Sequence, residues 1–336
     1  MVAGVAGLVH QTLGRYEMSL EMQFLSSDGK RYYQIGEIVQ GDVTWTTDIE
    51  FNAGELSFSI GKGSSGNGIM PKNGDVIAMQ WNAKNIFWGR IFKISYNSGG
   101  TIDITAYDKM RYLKGVDTIV WPANKASDRF RTVCAYSQIT HKVVDDSLIR
   151  ISARVDENKT YFTMLQEAIS ETRSKTGNRY YIRDNYGTVE FIFSGRTVSS
   201  IVLGDKSLMT TWSMDKSIEE AANWVVIKKI KDKNIQDSAI AKDDGNIQKW
   251  GKLHIIEMAD EKMNHAQMVD RANQLLREKN RETSSLTLSA VGHLDIRAGV
   301  RFWLAIPELS GTKQVTAKKV SHKFGQNWLM TVEVEV

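Results

Sequence analysis

Three features of the chain predict a mainly β protein with an α+β insert, built on two similar small antiparallel β-barrels. The first is a meander between Gly74 and Tyr107, in which tight turns at Asn82–Asn85 and Asn97–Gly100 join runs rich in β-branched and aromatic residues. The second is its echo near the C-terminus. There Lys319-Val320-Ser321-His322-Lys323-Phe324-Gly325 repeats the Lys, Ser and Gly spacing of Lys93-Ile94-Ser95-Tyr96-Asn97-Ser98-Gly99. The third is a change of pattern over residues 114–211, where helical spacing of apolar residues interrupts the strand-like alternation.

Residues 16–60 read as strands: Met18, Leu20, Met22 and Phe24 alternate, Asp28-Gly29 turns the chain, and Leu56, Phe58 and Ile60 alternate again. The loop Gly61–Gly68 contains Gly-Lys-Gly-Ser. A phosphate-binding loop would need Gly and Ser or Thr where Leu56 and Gly63 stand, so a contact loop for neighbouring chains is expected instead. The middle strand of the meander is apolar on both sides, with Phe87 and Ile91 opposite Trp88, Phe92 and Ile94. Both its faces are expected to be covered, with Trp88 and Phe92 in a core. The next strand sets Ile102, Ile104 and Ala106 against Thr101, Asp103 and Thr105, and Asp108 can cap the turn that follows. In the echo, Ala298–Trp303 stands where Asn73–Ala78 stands, and Trp328–Val332 where Thr101–Thr105 stands. The identities are few enough for two unrelated hairpins, but the shared order of strands and turns predicts one barrel used twice.

In the insert, Ser127 is expected to cap a helix carrying Phe130, Val133 and Cys134 on one face, which makes Cys134 a core residue and not a nucleophile. A second helix should start at Thr160, bury Tyr161, Leu165, Ala168, Ile169 and Thr172, and stop at Gly177. Tyr180–Arg183 and Thr188–Phe193 should pair across Asp184–Gly187. Beyond residue 212 a strand centres on Trp224–Ile227, followed by a polar excursion from Lys228 to Asn246. Its Lys228, Lys229, Lys231 and Lys233, broken by Ile230 and Asp232, read as a solvated strand end before a nucleic-acid patch. A third helix is expected from Asn264 to Glu282 with Val269, Ala272, Leu275, Leu276 and Lys279 inward. Strands 284–290, 299–306 and 314–336 close the chain, the last as a half-buried edge with Trp328, Met330, Val332, Val334 and Val336 on one side. The domains expected are an arm at 1–16, a first barrel at 17–113, the α+β insert at 114–211, and a second barrel at 212–336 with its helix at 264–282.

At 336 residues there is room for two or three cores, and a net charge of +4 is too balanced to argue for nucleic acid. A single cysteine rules out a disulfide framework, and no apolar run approaches a membrane span. Met1–Val9 is small and apolar without a basic flank, which points to an arm that orders against a partner and away from a signal peptide. His10, His141, His254, His265, His293 and His322 fall in no metal-ligand spacing. Asp145-Asp146 reads as a solvated pair, and no nucleophile elbow or dinucleotide fingerprint is present. No catalytic, cofactor or metal residue is therefore expected. Glycosidase carboxylates have no sequence spacing, so motifs alone leave a hydrolase open.

Several runs resemble one family. They are Phe51-Asn52-Ala53-Gly54-Glu55-Leu56-Ser57-Phe58-Ser59-Ile60, Asn73-Gly74-Asp75-Val76, Phe87–Ser95 and, most specifically, Ile104-Thr105-Ala106-Tyr107-Asp108 through Arg111-Tyr112-Leu113-Lys114. Val155–Phe162, Ile240-Ala241-Lys242-Asp243, Trp250-Gly251 and Ile296-Arg297-Ala298-Gly299 extend the match, while Cys134–Ser147 departs from it. Together they resemble baseplate hub proteins of contractile phage tails, defective prophages and tailocins, which are similar to the base of type VI secretion spikes. The resemblance implies a non-enzymatic structural protein of a tail baseplate, made in the host cytoplasm. It also implies a homotrimeric ring of pseudo-sixfold symmetry joining the sixfold tail tube to the threefold spike and lining the channel. The implied partners are further copies of the chain, the tube or tube initiator, the central spike, and the tape measure and wedge proteins, with no cofactor, membrane anchor or specific nucleic acid. The alternative is a tail-associated peptidoglycan hydrolase or cell-wall-binding protein.

Overall fold

The computed structural model describes residues 19–61, 69–231, 234–261, 263–309 and 311–335. The expected arm at 1–16 and most of the Gly61–Gly68 loop lie outside them. The chain forms two compact units, one from residues up to 208 with 290–332, the other from 209–289 with 333 onward.

In the first unit, β1 (Leu20–Leu25), β2 (Tyr32–Gln34), β3 (Val39–Asp48), β4 (Glu55–Gly61), β5 (Val76–Trp81), β6 (Lys84–Tyr96) and β7 (Thr101–Tyr107) pair in the order β3-β4-β7-β6-β5-β1-β2. Every pairing along this path is antiparallel. Period-2 alternation turns one face of each strand into a single shared core that includes Met22, Leu56, Phe58, Met79, Ile91 and Ile104. The expected alternations in β4 and β7 hold. In β6, Phe87 and Ile91 are core, but Trp88 and Phe92 are half-buried, which corrects the expectation that both faces are sealed. The second face is covered in part by the end of β7 and the turn that follows it. Lys109 lies over the Trp88 ring at 4.8 Å, and Phe92 meets Tyr107 and Tyr112.

The insert follows a 3-10 turn at Lys109–Lys114 and comprises β8 (Val116–Trp121), α1 (Ala126–Tyr136), β9 (His141–Val143), β10 (Arg154–Thr160), α2 (Tyr161–Thr176), β11 (Tyr180–Asp184) and β12 (Val189–Phe193). Its own core joins Phe130, Val133, Cys134, Leu165, Ala168 and Phe191. The α2 helix has the predicted ends: Thr160 Oγ1 accepts from Thr163 N at 3.1 Å, and Gly177 closes it at φ +73°. In α1 Ser127 does not cap. The helix begins at Ala126, Lys125 N donates to Asp128 Oδ2 at 3.3 Å, and Ser127 Oγ donates to Asp146 instead. From the insert the chain passes into β13 (Val198–Gly204).

The second unit contains β14 (Met209–Ser217), β15 (Trp224–Lys231), β16 (Asn234–Lys242), α3 (Asp244–Trp250), β17 (His254–Met258), α4 (His265–Lys279) and most of β18 (Thr283–Val291). A sheet of order β16-β15-β17 carries α4 on one face, with Met268, Ala272 and Leu275 against Val225, Ile227, Ala239 and Ala241. The predicted inner stripe of α4 is right for Ala272 and Leu275, whereas Lys279 is exposed and Met268 is buried. The stretch expected as a polar excursion is taken up by the end of β15, by β16 and by the start of α3, with β16 at its centre. As a sheet edge β16 buries only Ala239 and Ala241, so its sequence reads as polar.

Of the last strands, β19 (Arg301–Ile306), β20 (Gly311–Phe324) and the Leu329–Val332 part of β21 (Leu329–Glu335) belong to the first unit. β19 pairs with β13 in parallel and with β20 antiparallel. The far half of β20, Lys319–Phe324, pairs with Asp48–Val43 of β3, and Thr46 Oγ1 lies 3.0 Å from Ser321 Oγ. β21 lies inside the sheet path beside β20 and not at its rim, contrary to the expected edge.

The internal echo is visible in the backbone. Gly74 and Gly299 both sit at positive φ, +91° and +86°. Gly74 N donates to Ile91 O and Ile91 N to Asp75 O, each at 2.8 Å, while Gly299 N donates to Ala317 O and Ala317 N to Val300 O, each at 2.9 Å. The hairpins β5–β6 and β19–β20 therefore start from the same two-bond clasp. The architecture is mainly β with an α+β insert, as predicted.

Candidate functional site

The cysteine, the paired aspartates and the histidines singled out in the sequence do not converge among the described residues. Cys134 is fully buried, and burial drives its thiol far above the normal range, so it is no nucleophile. Asp145 is partly desolvated, which raises its pKa, but bonds from Arg196 and Phe193 N outweigh this and hold it low. Asp146 is likewise pulled down against its desolvation by Leu148 N, Lys125 and Ser127. The two neighbours thus pin different loops. The described histidines are scattered: His141 bonds Ile139 O, His265 bonds Asp237, and His293 lies 3.8 Å from Asp295. No group of three or more His, Cys, Asp or Glu capable of holding a metal occurs among the described residues. Of the lysine cluster, Lys229 Nζ donates to Met263 O. Lys233 and His10 lie outside the described residues.

His322 is the most constrained of these groups. It is fully buried in a stack with Trp45 and Phe324, and Nε2 pairs with Ile296 O at 2.8 Å. Burial lowers its pKa to about 4, so it is a neutral core imidazole that donates one hydrogen bond.

A pair of carboxyls that sequence reading missed comes together where the insert meets the first sheet. Asp108 Oδ2 accepts from Gly54 N at 2.8 Å, and Oδ1 accepts from Met110 N at 2.9 Å. Asp184, at the end of β11, accepts from Gly187 N at 2.7 Å, and its Oδ2 has no partner. Burial, reinforced by the Asp184 charge, lifts Asp108 well above the carboxylate range, and burial pushes Asp184 up to about 6. Arg297 borders the same space, its pKa held down to about 10 by burial and by the Arg183 charge.

Two carboxyls that cannot both ionise are a known route to acid–base chemistry. Here the space between the groups is only about 20 Å³, enough for about one water and for no substrate. The arrangement fastens three stretches of chain. Its members are 76 and 113 positions apart in sequence, so no local spacing could reveal it.

The runs that carry the family resemblance have the same character. Asp108 caps the 3-10 turn. In Val155–Phe162, the fully buried Asp156 accepts from Trp121 Nε1 at 2.8 Å and Lys159 Nζ at 3.0 Å, Thr160 caps α2, and Tyr161 donates to Asp117. Asp243 caps α3 and accepts from Asn280. Ile296 holds His322, and Gly299 makes the second clasp. These residues build caps and joints.

At 28% identity over 265 residues, covering 78% of this chain and 81% of the relative, the sequence is similar to phage-like element PBSX protein XkdQ of Bacillus subtilis (strain 168). The fold is similar to that of the prophage MuSo2 43 kDa tail protein of Shewanella oneidensis, with TM-score 0.64 at 12% identity over 94% of this chain and 98% of that one. A tail protein of Neisseria meningitidis MC58 gives TM-score 0.62 at 13% identity, over 94% and 96%. The YqbQ-like family model matches residues 43–335, from β3 to the end of β21, and the chain belongs to that family.

Proposed function

We propose that this chain is the hub of a contractile-tail baseplate in a phage or tailocin particle. Three copies close into a ring that presents a pseudo-sixfold surface to the tail tube and a threefold surface to the central spike. The observation that carries this reading is the repeated clasp, Gly74 with Ile91 and Gly299 with Ala317, which starts two hairpins of the chain in the same way and supports two like β modules per chain. Two like modules in each of three chains make six equivalent positions, so a sixfold tube can dock onto a threefold spike without a symmetry clash. The likeness to tail proteins supports the same setting. The hub works by assembly, without catalysis or cofactor, and the tube, spike, tape measure and wedge proteins are its neighbours. A hydrolase reading finds no support in the carboxyl pair, which has no room for a substrate.

Reconstruction of the tail end, or mass measurement of the hub bound to its spike, tests the proposal. The expected result is three copies, roughly 114 kDa as three times 37.9 kDa. One or six copies at that level overturns it.

A further inference from the structure

The sheet β16-β15-β17 of the second unit has two unlike faces. On the α4 side lie Val225, Ile227, Ala239 and Ala241, together with both carboxylates of these strands: Asp237 bonds His265 of α4 at 3.0 Å, and Glu257 bonds Arg271 of α4 at 2.8 Å. On the other face the register sets Val226 between Ile240 and Ile256, Lys228 between Ser238 and Met258, and Ile230 opposite Ile235. Ile230, Ile235, Ile240, Ile256 and Met258 are 43–61% exposed, although strand alternation groups them on one surface. The charge on this face is cationic. Lys228 stands in the middle, and Lys242 and Lys252 reach over the Trp224 ring at 5.6 and 3.7 Å. Among the described residues of β15, β16 and β17 no acid lies on this face, and Asp244, beyond the end of β16, stands 2.9 Å from Lys242.

We propose that this open face docks an amphipathic helix of a separate protein, whose apolar stripe is flanked by carboxylates. Charge complementarity selects the occupant. All strand carboxylates face α4, so an acidic flank meets Lys228 and Lys252 without like-charge repulsion, and a basic flank does not. A helix suits the surface because α4 already covers the same three strands from the other side, and a helix on each face is the common way to bury a small sheet. Nothing in the hub reading is needed for this inference.

The test uses the full chain and a labelled synthetic helix of about 15 residues with a leucine stripe and glutamate flanks, read by fluorescence anisotropy. The glutamate peptide is expected to bind, more weakly as salt rises, and a lysine-flanked twin at least about tenfold more weakly. Ile256→Asp and, separately, Ile240→Ser are each expected to weaken binding about tenfold with circular dichroism unchanged, because both side chains are exposed. Lys228→Glu with Lys252→Glu is expected to reverse the peptide preference. Equal binding of the two peptides, or binding indifferent to all these substitutions, overturns the proposal. So does binding to phosphatidylglycerol vesicles that Ile256→Asp abolishes, which assigns the face to a membrane. A concentration-dependent dimer lost in the same variant overturns it in favour of a second copy.

Discussion

Gly74 and Gly299 share one backbone geometry in different surroundings, and this separates their expected costs. A methyl group at Gly74 meets nothing nearer than Ser27 Cβ at 4.0 Å, so Gly74→Ala is charged with left-handed strain alone, about 1–2 kcal/mol. At Gly299 the same methyl runs into the Tyr181 ring, and Gly299→Ala is expected to cost more than about 3 kcal/mol. Urea midpoints of the two variants check the order. His322 makes a prediction about pH. Its folded pKa of about 4 lies below the ordinary 6.5, so its contribution is complete above 6.5 and is lost as pH falls toward 4. The loss over that window is on the order of 3 kcal/mol. His322→Gln should remove this part of the slope when native and variant denaturation are compared at pH 4 and pH 7.

Among the elements, the seam between insert and first sheet has the opposite pH sense. Asp184 is raised to about 6 from 3.8, so its contribution is complete below 3.8 and is lost as pH rises through 6. Asp184→Asn keeps an oxygen for Gly187 N and removes the charge. The variant should therefore gain on the native protein by on the order of 2 kcal/mol at pH 8 and show little advantage at pH 4, as read by thermal midpoints. Elements with local signals were legible in the sequence. Thr160 and Gly177 gave the ends of α2, and the alternation of Ile102, Ile104 and Ala106 gave β7. Where tertiary partners decide, the sequence misled. Ser127 is claimed by Asp146, β16 looks polar because only two of its residues face a core, and Trp88 looks apolar yet waits half-buried under Lys109. The Asp108–Asp184 seam was illegible because its members meet only after three separate stretches have folded. The open face of the second unit was illegible because Ile230, Ile235 and Ile240 sit in a stretch whose other residues are mostly polar.

The whole molecule has separate cores, and the one under α4 contains only residues of the second unit. Leu275→Ala is expected to destabilise that unit by about 2–5 kcal/mol. Amide exchange should accelerate in β15, β16 and α4, while amides of Phe58 and Ile104 in the other core keep their protection. The pairing of β3 with β20 acts across nearly the full chain, since Thr46 and Ser321 are 275 residues apart. At ribosomal speed that gap corresponds to on the order of 15–55 s of synthesis. Throughout that time the Val43–Asp48 edge has been made but its partner strand has not, and an unpaired edge is a template for aggregation. That edge therefore stays open until Lys319–Phe324 has been made, and a stop before Lys319 releases a product whose Val43–Asp48 edge has no partner strand.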